Sequence, residues 1–222
     1  MTKLLLPLGT PPTKPHVPIF VSANIATATR IVVLFGESCQ DLGVLAHRVV
    51  GGPGGVNKGS MLSVVAAIRA ADKSGSVGVV IANPGQLWWW PEGGRGLTPA
   101  GRFAVPMRSA VHRGRAYDAR LNAIQGHETV GRHVASVFGE VLGGGVVRED
   151  AKLAVVAVTD VADEVEKFLD DEENWKRWGR KMESLALLGN FYGVGGVKCE
   201  GFAKFLKEVS LRDLSWLCFG GG

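Results

Sequence analysis

Short runs of β-branched and aliphatic residues, separated by segments of helical periodicity, constrain this chain more than any other feature. RIVVLFG (30–36) and KLAVVAV (152–158) are apolar at nearly every position, and VGVVIAN (77–83), SLALLGN (184–190) and LSWLCFG (214–220) repeat the pattern. A strand wetted on one face alternates, whereas a strand apolar throughout is buried on both. Between these runs, SMLSVVAAIRAA (60–71) places Leu62, Val65 and Ile68 on one helical face. HETVGRHVASVFGEVL (127–142) does the same with Val130, Val134, Val137, Phe138, Val141 and Leu142, and DVADEVEKFL (160–169) with Val161, Val165, Phe168 and Leu169. Strands alternating with helices predict a three-layer α/β fold with a mostly parallel, doubly wound sheet covered on both faces. IFVSA (19–23) is expected to add an edge strand.

At 222 residues, 46% of them hydrophobic, the chain is long enough for one well-buried core. Residues 1–17, with Pro7, Pro11, Pro12 and Pro15, read as a flexible lead-in to a single domain over 18–222. The stretch 84–126 has little periodicity and is rich in Gly, Pro, Arg and Trp, so it is predicted to be a functional or capping insertion. No apolar run reaches the roughly eighteen residues of a membrane span, and no membrane association is expected. Cys39, Cys199 and Cys218 are odd in number and widely spaced, which excludes a disulfide framework and fits an intracellular location, cytoplasmic or nuclear. Cys39 is read as inert rather than reactive.

In open α/β sheets ligands bind at the carboxyl ends of the strands. The residues placed there are Gly36, Glu37 and Gln40, then Asn83, Gly85 and Gln86, then Thr159 and Asp160, and finally Asn190. Trp88, Trp89 and Trp90 cannot all point one way on a regular element, so at least one is expected to be partly exposed. The candidate binding cleft therefore comprises Gly36, Gln40, Asn83, Gln86, Trp88, Trp89, Trp90 and Asn190. GGPGGVNKGS (51–60) is not a phosphate loop, because Gly59 separates Lys58 from Ser60; a turn ending in a Ser60 helix cap is expected. His127 and His133 lie six apart, a poor spacing for a shared helical face or a metal pair, and His133 is read as a packed helix residue. No cofactor and no metal site are indicated. Arginines at 95, 102, 108, 113, 115, 120 and 132 face few interleaved aromatics and no nucleic-acid motif, so direct nucleic-acid contact is not expected. Acidic residues dominate 160–173. In VVAVTDVADEV (155–165), Thr159 or Asp160 is expected to cap the following helix.

PIFVSANIATATRIVVLFGESCQDLGVLAHRVVGGPGGVNKGS, VIANPGQLWW, RLNAIQGHETVGRHVASVFGEVL and VREDAKLAVVAV resemble the Argonaute-binding-protein-two (Arb2-like) domain family in its stand-alone form. The resemblance runs from about residue 18 to 219 and implies an α/β-hydrolase-like fold. Members typically carry a Gly-x-Ser-x-Gly-Gly turn after the central strand, similar to a hydrolase nucleophile elbow. In register, that turn falls on Ala157, Thr159, Val161 and Ala162, and every key position differs. The elbow uses glycines because strand and helix backbones approach closely, so Val161 is expected to relax the turn. No His follows the last expected strand.

The resemblance thus implies a degenerate, non-catalytic domain that binds a protein partner, in a setting of chromatin or small-RNA machinery. Its expected contacts are the Trp loop, the arginine-rich insertion and the acidic helix. The alternative is a hydrolase or lyase acting on a small-molecule ligand, with Asp160 as general acid or base, Glu37 or Asp41 as partner carboxylate, and Thr159 beside them. An enzyme should show Asp160 pointing into a closed apolar pocket; a binding module should show it capping the helix, with the cleft filled by side chains. Oligomeric state is not legible.

Overall fold

The computed structural model describes residues 1–105, 116–188 and 196–209. The strands are β1 (Thr2–Leu6), β2 (Val17–Val21), β3 (Arg30–Phe35), β4 (Val77–Ala82), β5 (Trp88–Trp90), β6 (Arg95–Leu97), β7 (Lys152–Val158) and β8 (Met182–Leu188). Helices are α1 (His47–Val50), α2 (Gly55–Gly59), α3 (Leu62–Ala71), α4 (Gly101–Ala104), α5 (Ala119–Asn122), α6 (Val130–Ser136), α7 (Asp160–Leu169), α8 (Glu172–Trp178) and α9 (Glu200–Val209). A π-helical segment, Val137–Leu142, extends α6.

Six strands form one sheet in the order β1-β2-β4-β3-β7-β8, and β5 and β6 pair separately. The inner pairs β3–β4, β3–β7 and β7–β8 are parallel, with Val33 aligned on both Val80 and Val155; β1–β2 and β2–β4 are antiparallel. Alternation along β3 sorts the core into two layers. Val32 and Leu34 meet Val65 and Ile68 of α3 on one face. Ile31, Val33 and Phe35 meet Val134, Phe138, Val165, Trp178 and Phe202 on the other. Phe138 is the centre of that layer, stacked 4.6 Å from Phe168 and edge-on to Trp178 at 5.3 Å. Helix α7 follows from its own pattern: Val161, Val165 and Leu169 are fully buried, Asp160 and Asp163 sit in its first turn, and Lys167 in its last.

Two expectations are corrected. Residues 1–17 are not a flexible lead-in, because Thr2–Leu6 pairs along its length with β2 and Leu6 is fully buried. Leu4 and Leu6 supply the core-facing side, and Pro7 follows the strand's last residue. The strand predicted at 19–23 runs Val17–Val21 and lies inside the sheet rather than at its edge. Asn190 and the run 214–220 lie outside the described residues. Within 84–126 the described residues form the β5–β6 hairpin and two four-residue helices, α4 and α5. No helix among the described residues is long and apolar enough to cross a membrane.

Candidate functional site

Because β3, β4 and β7 are parallel, the loop after Phe35, the loop after Ala82 and the turn after Val158 leave the same edge of the sheet. The turn after β7 has the most constrained backbone among the described residues. Thr159 has φ 51° and ψ −124°, and among the described residues it alone has a positive φ without being glycine. That conformation is strained for a β-branched residue, at the position where the family resemblance places a nucleophile elbow. Val161 therefore does not relax the turn. Ala157, Val161 and Ala162 are fully buried in the main core, and the Thr159 amide donates to the Leu188 carbonyl of β8 at 2.6 Å. These contacts hold the backbone where glycines would otherwise ease it.

The helix-cap expectation also fails, and Asp160 meets neither expected geometry: it does not cap α7, it is exposed and not in a closed pocket, and the neighbouring cleft is open. Thr159 occupies the N-cap position without a side-chain cap bond; its hydroxyl donates instead to Asp160 Oδ1 at 3.1 Å. The same oxygen accepts the Ser38 amide at 3.3 Å. Asp160 is exposed and joins the elbow to the loop after β3. Replacing Thr159 by glycine releases the strain, about 1–3 kcal/mol, against a glycine entropy cost of about 0.5–1 kcal/mol. Thr159→Gly is thus expected to raise stability by about 1 kcal/mol; a melting temperature below the parent's would show the turn to be unstrained.

The loop after β3 is internally bonded. Glu37 Oε2 accepts from the Cys39 thiol at 3.3 Å and from Gln40 Nε2 at 3.2 Å. Burial, the Glu37 hydrogen bond and the Glu37 charge, with Asp160 adding, push the Cys39 thiol up, away from the reactive thiolate. Asp41 accepts from Gln86 Nε2 at 2.8 Å and pairs with His47 at 3.2 Å. Asn83 donates to Gln86 Oε1 at 2.9 Å and to the Pro18 carbonyl at 3.0 Å. Gly36 is buried, and a Cβ there would lie 3.3 Å from the Met61 methyl. The structure therefore brings Glu37, Gln40, Thr159 and Asp160 to one edge, with Asp41, Asn83 and Gln86 in an adjoining network.

Trp88 and Trp89 are buried, and Trp90 is half-buried. Trp89 packs with Val17 and Ile124, whereas Trp88 and Trp90 face the other way, onto Leu97 and Val105. Beside Trp88 lies a cleft of about 230 Å³ that includes Ser38, Gly85, Arg102, Tyr117 and Thr129, so it borders the elbow through Ser38.

The family model of the Arb2 domain matches residues 1–212. The chain belongs to the Arb2 domain family. No curated protein and no solved structure matched it. The Arb2 match begins at residue 1, so β1 falls inside the family's domain.

A further feature of this Arb2 domain, a histidine pair, escaped the sequence reading. His127 and His133 are fully buried, with their Nδ1 atoms 2.9 Å apart. Spacing on a helix does not apply, because His127 precedes α6 in a turn that Gly126, at φ 76°, makes. The tautomers follow from the partners. The Asn83 amide donates to His133 Nε2 at 3.1 Å, so that nitrogen carries no proton and His133 donates through Nδ1 to His127. His127 then carries its proton on Nε2, 3.4 Å from the Ser136 hydroxyl, which donates to Glu140 Oε1 at 2.7 Å. Glu140 Oε2 accepts the Leu8 amide at 2.9 Å. Burial lowers His127 to about 4, against the charges of Glu140 and Glu128, and burial with the neighbouring His127 takes His133 well below its ordinary value. Gly126 ahead of His127 was the available signal.

Proposed function

We propose that this Arb2 domain is a non-catalytic, α/β-hydrolase-like module that binds a protein partner, in the setting of chromatin or small-RNA machinery that the family resemblance suggests. The carrying observation is the Asp160 carboxylate on the Ser38 amide and the Thr159 hydroxyl. In a working elbow, a loop amide and the amide after the nucleophile stabilise an oxyanion, a donor being worth about 2.7–4 kcal/mol. Here a negative charge already occupies the loop donor and restrains the hydroxyl. The buried Trp88 and Trp89 shift the expected partner surface away from the Trp loop. Phe103, Tyr117 and Leu121, which lie within the insertion and are 64%, 50% and 58% exposed, replace it.

Purified protein is expected to turn over no small ester, amide or lactone, and Thr159→Ala and Asp160→Asn are expected to leave that baseline unchanged. Turnover by the parent that either substitution abolishes would overturn the non-catalytic reading and make the turn after β7 an active site, and loss in Asp160→Asn would point to the carboxylate-based alternative. A co-purifying partner is expected to be lost from Phe103→Asp/Leu121→Asp. Retention of that partner would remove this surface from the proposal.

A further inference from the structure

We infer that the face of the β5–β6 hairpin bearing Trp88 and Trp90 binds a carboxylate joined to an apolar group of amino-acid size. Three buried donors on or beside this hairpin have no acceptor: the indole Nε1 of Trp88, the indole Nε1 of Trp90 and the guanidinium Nε of Arg102. Native interiors leave few such groups unsatisfied, and Trp88 and Arg102, which line the same cleft, call for a common partner. Trp88 and Arg102 line the cleft of about 230 Å³ next to the elbow. Trp90 and Arg95 line a second cleft of about 230 Å³ that shares Leu97 with the first. The three nitrogens are shielded from bulk water, so an acceptor in the cleft reaches one only as the Trp88 or Arg102 side chain turns toward it.

Charge selects the acceptor. Arg102 makes no ion pair among the described residues; its guanidinium lies over the Phe103 ring at 4.7 Å. One carboxylate lines each cleft and is already engaged: Glu128 in the first with Arg132, and Asp41 in the second with Gln86 and His47. The protein thus presents uncommitted donors and a cation but no free anion, and a planar carboxylate complements that set. Leu87, Leu97, Tyr117 and Val130 supply an apolar wall for the attached group. A volume below the roughly 300–1,000 Å³ of sites for larger ligands limits that group to the size of a phenylalanine side chain. The site stands whether or not the elbow turns anything over. Its carboxylate can come from a free acid or from the C-terminus of a partner chain.

The test uses the full chain labelled with ¹⁵N, whose six tryptophans give separate indole signals; Trp88→Phe identifies the Trp88 signal. The probes are 3-phenylpropionate, 3-phenylpropionamide, and a short peptide ending in Phe with a free or amidated terminus. The Trp88 indole proton is expected to move downfield and saturate with the acids. Amidation of the probe, or Arg102→Gln, is expected to weaken binding by about tenfold or more, the worth of one charge-assisted hydrogen bond. Tighter binding of the free acid identifies a small-molecule source, and tighter binding of the peptide acid identifies a chain end; both uphold the site. A Trp88 signal unmoved at tens of millimolar acid, equal affinity for acid and amide, or an unchanged titration in folded Arg102→Gln overturns it. Should Arg102→Gln disturb the other indole signals, the acid–amide comparison in the parent decides alone.

Discussion

Acidification from pH 6.5 to about 4 is expected to cost the folded state on the order of 3 kcal/mol through His127 alone. The unfolded chain binds a proton on each imidazole below the ordinary value of 6.5, whereas folded His127 does so only near 4 and His133 lower still. Between those limits the unfolded state holds more protons, so stability is complete above pH 6.5 and falls as pH drops. Each imidazole contributes a slope of about 1.4 kcal/mol per pH unit. The cause is structural. A second proton on His133 meets the Asn83 amide, which already donates to Nε2, and one on His127 Nδ1 meets the Nδ1–H of His133. Carboxylates act in a separate window: Asp72, Asp150 and Glu128 are held below their ordinary values of 3.8, 3.8 and 4.5, so their contribution is lost only as pH falls through and below those values. Urea unfolding from pH 7 downward checks this. The double variant His127→Gln/His133→Gln is expected to start less stable and to show a much shallower slope above pH 4.5. A parent whose stability stays flat from pH 6.5 to 4.5 would refute the neutral-pair assignment.

The parts of the fold legible in the sequence were those where burial is two-sided. Strands β3, β4 and β7 carry apolar residues on both faces and announce themselves without partners. Leu4, Leu5 and Leu6 did not, because a five-residue antiparallel strand followed by prolines has too short a pattern to separate from a loop. At the elbow, residue identity misled: counting lost glycines implied a relaxed turn. The backbone of Thr159 is instead fixed by the Leu188 carbonyl and by the buried Val161 and Ala162, which are tertiary contacts. The Trp88–Trp90 alternation was legible from strand geometry, but not the burial of Trp88 and Trp89, which depends on Leu97, Val105 and Ile124 arriving from later in the chain. The role of Asp160 was likewise hidden, since its partner Ser38 lies 122 residues away.

Gly85→Ala is expected to destabilise the protein by about 3 kcal/mol, the upper end of overpacking costs, lowering the melting temperature by roughly 6–12 °C. A Cβ at Gly85 would fall onto the Gln40 carbonyl oxygen and within 3.3 Å of the Ser38 carbonyl oxygen. Both obstacles are backbone, so no side-chain rotation relieves them, and the loop after β3 has to move. That loop holds the Ser38 amide on Asp160 and the Glu37 contacts to Cys39 and Gln40, while Gly85 itself lines the cleft beside Trp88. The substitution is therefore expected to perturb the Ser38 amide resonance and the Trp88 indole resonance together, as a merely local clash at the surface does not. Gly139→Ala is the matched control. It lies in the π-helical segment with nothing within 4 Å of the added carbon, and alanine there gains up to about 1 kcal/mol of helix preference. Opposite signs for the two alanines in thermal unfolding establish that the approach of the 84–86 loop to the 38–40 loop is built on a missing side chain. Equal melting temperatures for Gly85→Ala and the parent would mean that the two loops are not held in this contact, and the link from Asp160 through Ser38 to the cleft would fall with it.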